Sequence, residues 1–236
     1  MDLTTRILIF YVVLVVSLVV HEAAHALFAL LGGDRTAYHG GQVTLNPIPH
    51  MQREPMGTIF IPLIALIMSK GMMCFGFAHA PYDPNWAARH PKRAALMAAA
   101  GPLSNILLAA IAFTVLEVLI QTDQARIISG MRGPLMAFSD RLEMLDPVGG
   151  SQGYVAATVK IASVFLFLNV LLAMLNLLPI PPFDGGSIVE GLFPKTRPFF
   201  EFLRAQVFTL ILGLVIAWNL LNEFFWPTLG WIYRQL

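Results

Sequence analysis

Two histidines and a glutamate in His21-Glu22-Ala23-Ala24-His25 are the residues whose types and spacing point most directly to chemistry. Residues four apart on an α-helix share a face, so the imidazoles of His21 and His25 reach the same point. Two imidazole nitrogens at roughly 2.0–2.1 Å suit Zn2+, which takes four ligands in a tetrahedron. Glu22, beside them, has the chemistry of a general base for a water activated by such a metal. The setting sharpens the reading: no charged residue occurs from Ile7 to Val20, and Ala26 to Leu31 is apolar again. An acidic residue at the centre of a membrane helix costs about 2.5–3.5 kcal/mol on insertion scales, so its presence marks a functional site. Three ionisable groups in a dry helix need partners, and a metal ion supplies them.

A site with two histidines needs a third protein ligand, leaving the fourth position to water. The acidic candidate is Asp184, in the stretch Asn176-Leu177-Leu178-Pro179-Ile180-Pro181-Pro182-Phe183-Asp184-Gly185-Gly186. Its prolines forbid a continuing helix and its glycines allow tight backbone geometry, which presents Asp184 on a stiff turn next to a helix end. An ordinary Asp-Gly turn is the alternative. Asn105 follows the small-residue stretch Ala98-Ala99-Ala100-Gly101-Pro102, where another helix can approach closely. By itself this amide fits interhelical hydrogen bonding as well as it fits catalysis. His39 and His50 lack ligand spacing and are expected to be solvated. Cys74 is the single cysteine, so there is neither a disulfide framework nor a cysteine-rich zinc site.

The elements that must position these groups are membrane helices. Of the 236 residues, 57% are hydrophobic and only 12% charged, whereas soluble domains carry about 25% charged residues. We expect an all-α polytopic membrane protein with about four transmembrane helices and a re-entrant helix/β element, in a single domain over residues 1–236. Helices are expected at about 5–31, 94–120, 154–178 and 202–221. The N-terminal stretch superficially resembles a signal peptide, but cleavage after Ala23 or Ala24 would destroy the histidine pair, so it reads as a retained helix. Thr36 to Leu45 is expected to form a short strand or hairpin. Gly57 to Met68 is too short to span as a helix, and Met72 to Ala80 is expected to run back extended, making 57–81 the re-entrant element. Residues 121–153 read as a polar loop. The cluster Arg89-His90-Pro91-Lys92-Arg93 reads as a cytoplasmic topology signal, which places both termini outside and the site toward the cytoplasmic face. A net charge of +1 gives no sign of a nucleic-acid partner; the expected partners are the lipid bilayer and membrane-anchored protein substrates.

Together with Leu45-Asn46-Pro47 and Ala100-Gly101-Pro102-Leu103-Ser104-Asn105, these motifs resemble the site-2 protease family of intramembrane zinc metalloproteases. The likeness is greatest to short bacterial-type members without PDZ-like or CBS-like modules. The resemblance implies a site-2 protease-like core, one Zn2+ per chain held by His21, His25 and Asp184, and Glu22 as acid/base. It implies that Asn105 positions substrate or stabilises the oxyanion, and that Phe75-Gly76-Phe77-Ala78 is a substrate-facing strand. It also implies a bacterial plasma membrane protein that cleaves in or near transmembrane helices in regulated intramembrane proteolysis. Ser187 and His79 depart from the residues common in relatives, and both bear on substrate preference. Two other classes remain open: a proteolytically silent scaffold of the same fold, and a metal transporter.

Overall fold

The computed structural model describes residues 2–71, 76–127, 145–148, 153–205, 213, 215–216 and 219–236. The first helix, α1 (Leu3–Leu31), is capped by Asp2, whose carboxylate accepts the Thr5 amide at 2.9 Å and so satisfies one of the free donors of the first turn. Two short helices follow, α2 (Thr36–His39) and α3 (Pro47–Arg53). The strand or hairpin expected over Thr36–Leu45 is therefore absent from this stretch. Asp34 accepts both the amide and the hydroxyl of Thr36, at 2.9 and 2.6 Å, and this Asx turn starts a helical turn instead. His50 also departs from expectation, being buried with Nε2 3.0 Å from the Thr44 carbonyl.

A π-helical turn (Met56–Phe60) leads into α4 (Ile61–Met68). The chain then reverses through Lys70 and Gly71, both at positive φ, and the Phe77 amide donates to the Gly57 carbonyl at 3.0 Å. Residues 76–80 belong to no sheet, and Phe75 lies outside the described residues. After α5 (Pro84–Arg89) comes the long α6 (Pro91–Gln121). The expected loop at 121–153 holds, in its described part, an antiparallel pair of three-residue strands. These are β1 (Ala125–Ile127) and β2 (Leu145–Pro147), with Ala125 opposite Pro147 and Ile127 opposite Leu145. Such strands are too short to print an alternating pattern. The chain continues through α7 (Tyr154–Asn176), α8 (Asp184–Leu192), a 3-10 turn (Pro194–Thr196), α9 (Arg197–Ala205), a π-helical turn (Leu221–Phe225) and α10 (Trp226–Tyr233).

Among the described residues, three helices are long and apolar enough to cross a membrane: α1, α6 and α7, of 29, 31 and 23 residues, where about 20 suffice. Much of the span expected at 202–221 lies outside the described residues. Helix α6 is the centre of the bundle and packs against α1, α7 and α8. Phe10, Leu14, Leu18, Leu116, Leu166 and Phe167 lie in one buried cluster. Other large apolar side chains on the same helices face outward, among them Leu8 (60% exposed) and Leu107 (61%). Exposed apolar surface of this extent fits a lipid environment.

The register of α1 against α6 is set at one end. The Gly32 carbonyl, at the end of α1, accepts from Trp86 Nε1 at 3.0 Å and from the Arg93 guanidinium at 3.1 Å. Trp86 is buried against Ala29 and Met97. A free carbonyl at a helix terminus is thereby satisfied, and α1 is fixed against the first turns of α6.

The return of Phe77 to Gly57 leaves no room for a side chain at Gly57, where a Cβ would meet the Phe77 carbonyl and ring. Gly57→Ala is therefore expected to lose about 1–3 kcal/mol of stability, as overpacked sites do. Gly230→Ala, in α10 with open space around the new Cβ, should instead be neutral or gain up to about 1 kcal/mol. Thermal unfolding of the two variants in detergent checks the contrast.

Candidate metal centre

Helical spacing places His21 and His25 on the face of α1 that packs against α6, and both are buried, as is Glu22. The two Nε2 atoms lie 3.0 Å apart. Asp184 is the first residue of α8, reached through the turn that contains a cis Pro181–Pro182 bond. Its Oδ2 lies 3.1 Å from His21 Nε2 and 3.3 Å from His25 Nε2. A carboxylate at a helix N-terminus is favoured by the helix dipole. The three atoms thus form a triangle with sides of 3.0, 3.1 and 3.3 Å. Ligands about 2.0–2.1 Å from a tetrahedral zinc ion stand about 3.3 Å from one another, so the donor set has the right size.

The protons make the same point. His25 Nδ1 lies 2.7 Å from the Met97 carbonyl, a group that only accepts, so in the neutral ring Nδ1 carries the hydrogen and Nε2 keeps its lone pair. His21 Nδ1 lies 2.6 Å from Asn105 Oδ1, which gives the same tautomer. Two lone pairs and a carboxylate then face each other with no hydrogen between them. Asp184 Oδ2 and Glu22 Oε2 are both buried without a hydrogen-bond partner. Donor atoms of His21, Glu22 and His25 all lie within 4.8 Å of one another. Such a gathering of acceptors calls for a cation, and the residues present fit zinc.

Asn105 sits between His21 and Asn169. Its Oδ1 faces His21, its Nδ2 donates to Asn169 Oδ1 at 2.8 Å, and its exposure is 0%. The amide is fully enclosed behind the imidazole, as its reading as interhelical hydrogen bonding expects. Gly76 packs beside Leu14 and Pro62, and Phe77 is half exposed. Leu14 is seven residues from His21, or about 10 Å along the helix. His79 lies on the surface, 3.4 Å from Glu54. Sequence reasoning had Gly101 only as part of a close-approach stretch and missed Asn169 and Ser17. Only Asn169 carried a signal, as a lone amide inside the apolar run of α7.

A histidine pair on an apolar helix with a neighbouring glutamate, closed by an aspartate from a proline-braced turn, has the make-up of a metallopeptidase centre. The chain belongs to peptidase family M50, the site-2 protease family, whose model matches residues 9–220. Among curated proteins it is similar to "Putative zinc metalloprotease YwhC" of Bacillus subtilis (strain 168), 34% identical over 222 residues, covering 89% of this chain and 84% of that protein. It is also similar to "Putative zinc metalloprotease Rip2" of Mycolicibacterium smegmatis, 27% identical, and of Mycobacterium tuberculosis (H37Rv), 29% identical. Each of these alignments covers 92% of this chain and 70% of the relative. No solved structure matches the chain at a significant level.

Gly101 is where α6 meets the histidines. A Cβ there would run into the Nε2 atoms of both His21 and His25. Gly101→Ala adds helix propensity of about 1 kcal/mol, so the helix itself should persist while the donor triangle is pushed apart. Retained helical circular dichroism with a large drop in bound zinc, measured by elemental analysis, is the expected outcome.

Proposed function

We propose that this membrane metalloprotease is a zinc-dependent intramembrane endopeptidase, with His21, His25 and Asp184 as its metal ligands and Glu22 as its acid/base. The observation that carries the reading is the triangle of His21 Nε2, His25 Nε2 and Asp184 Oδ2 beside the unpartnered Glu22 Oε2. When bound, zinc supplies Lewis acidity, which brings the pKa of an attacking water toward about 7 and polarises a scissile carbonyl. Glu22 accepts the proton of the attacking water and delivers it to the leaving nitrogen, so one carboxylate serves as base and then acid. His21 and His25 are held in place by their Nδ1–H bonds, and Asp184 closes the site from a different element.

The substrates proposed are membrane-anchored proteins cut in or near their transmembrane helices, as in regulated intramembrane proteolysis. Peptide bonds in a helix are hidden in its own hydrogen bonding, so substrate must unwind locally. The Phe75–Ala78 segment, in which Phe77 returns to Gly57 and Gly76 packs near Leu14, is proposed to pair with the unwound strand, as edge backbone does in β-augmentation. The proposed home is a bacterial plasma membrane. His25 is six residues, about 9 Å, from the end of α1, the end that Arg93 contacts. With the basic cluster 89–93 cytoplasmic, the site lies within the membrane toward the cytoplasmic face, and both termini lie outside.

Two variants test the reading. Elemental analysis should find one equivalent of zinc in the parental protein and none in His21→Ala/His25→Ala; full retention of metal overturns the ligand assignment. Glu22→Gln should keep zinc and fold but lower cleavage of a reconstituted transmembrane substrate by about 100- to 10,000-fold, the range for a lost general base. Parental turnover in that variant would mean that another group moves the proton.

A further inference from the structure

Behind His21 runs a chain of buried side chains through all three long helices. His21 Nδ1 meets Asn105 Oδ1 at 2.6 Å, and Asn105 Nδ2 donates to Asn169 Oδ1 at 2.8 Å. Asn169 Nδ2 in turn donates to Ser17 Oγ and to the Phe165 backbone carbonyl, both at 2.9 Å. Ser17, Asn105 and Asn169 are all 0% exposed. The two ends of an amide have the same shape, and a hydroxyl both donates and accepts. Three of these groups are therefore ambivalent, and their hydrogen bonds have two possible senses. The Phe165 carbonyl is not ambivalent, because it can only accept.

We propose that Asn169 is a positioning residue that transmits the polarity of the Phe165 carbonyl through Asn105 to His21, fixing the histidine tautomer able to ligate metal. The logic is sequential. Phe165 O requires the amino end of Asn169, so Asn169 turns its oxygen toward Asn105. Asn105 must answer with its own amino end, which leaves its oxygen for His21. His21 then holds its proton on Nδ1 and directs the Nε2 lone pair at the donor triangle. With the chain reversed, the Asn105 amino group would face Nδ1 and take its lone pair. The proton would move to Nε2, between His25 and Asp184, where it blocks ligation. His25 obtains the same result directly from the Met97 carbonyl; His21 obtains it through two amides. The partner of a ligating histidine generally fixes tautomer and orientation, and its loss typically weakens metal affinity about 10- to 100-fold.

The proposal rests on His21 being a ligand, and the test separates the two. Zinc affinity is measured by chelator competition on full-length protein in detergent, alongside thermal stability of the metal-free form. His21→Ala must lose zinc affinity; if it does not, the ligand reading fails. Given that loss, Asn169→Ala should bind zinc about 10- to 100-fold more weakly and give an altered Co2+ absorption spectrum. Asn105→Asp should keep His21 in the Nδ1–H tautomer, because a carboxylate there only accepts, while its other oxygen, facing Asn169 Oδ1, lowers thermal stability. In the Asn105→Asp background, Asn169→Ala removes that facing oxygen and should not weaken zinc binding further. A merely structural Asn169 would weaken binding equally in both backgrounds, in step with lost thermal stability, and that result overturns the proposal. So does parental zinc affinity in Asn169→Ala. Nitrogen-15 NMR of histidine-labelled, metal-free protein gives a readout that needs no aspartate variant. The parental His21 should be the Nδ1–H tautomer and Asn169→Ala a mixture; a pure Nδ1–H signal in that variant also overturns it.

Discussion

Three acceptors held face to face in an apolar interior are the constraint around which this molecule is built. His21 Nε2, His25 Nε2 and Asp184 Oδ2 stand 3.0–3.3 Å apart. Without a cation that arrangement is costly, since buried polar atoms lacking partners forfeit several kcal/mol in hydrocarbon (roughly 2–7 each). The protein must therefore enforce the geometry from outside the triangle. It does so through the Nδ1 atoms, on the side of each imidazole that faces away from the triangle.

Enforcement depends on how closely α1 and α6 approach. The clamp at Gly32, where Trp86 and Arg93 converge on one carbonyl, sets the register that brings Met97 opposite His25. Gly101 then removes the side chain that would occupy the imidazole edges. In a membrane, where lipid is as apolar as leucine, such contacts arise from small residues and interhelical hydrogen bonds more than from hydrophobic burial. The segment Ala98–Asn105 supplies both. Asp184 completes the site because α8 also packs on α6, so one helix organises ligands from two others.

The same logic explains why a polar chain persists in the bundle. Interhelical hydrogen bonds in membrane proteins contribute about 0.6 kcal/mol on average, too little to account for burying two amides and a hydroxyl on stability alone. A directional task accounts for them better: the Phe165 carbonyl is fixed in polarity by the helix, and amides are side chains that can carry a sense across from α7 through α6 to α1. Where a backbone carbonyl can reach the imidazole directly, as Met97 does, no such chain is needed.

Much of this was readable from residue types alone. The i, i+4 histidines, the glutamate between them and the apolar run around them identify a metal-binding helix because helical periodicity is local and hydrocarbon tolerates ionisable groups only with partners. Asp184 stood out because prolines and glycines dictate a turn wherever they occur. The long helices were legible by length and composition, to within a few residues at each end. What the sequence did not determine was which way each polar group points. Asn105 was open to either interhelical hydrogen bonding or catalysis and is found facing His21 and Asn169, because only the packing of α6 between α1 and α7 decides which side of that helix is interior. Asn169 and Ser17 are separated by 152 residues in the chain, and no local pattern links them. His50 and the short strands β1 and β2 were missed for the same reason: their partners come from elsewhere in the fold, and a hydrogen bond's direction belongs to the pair, not to either residue.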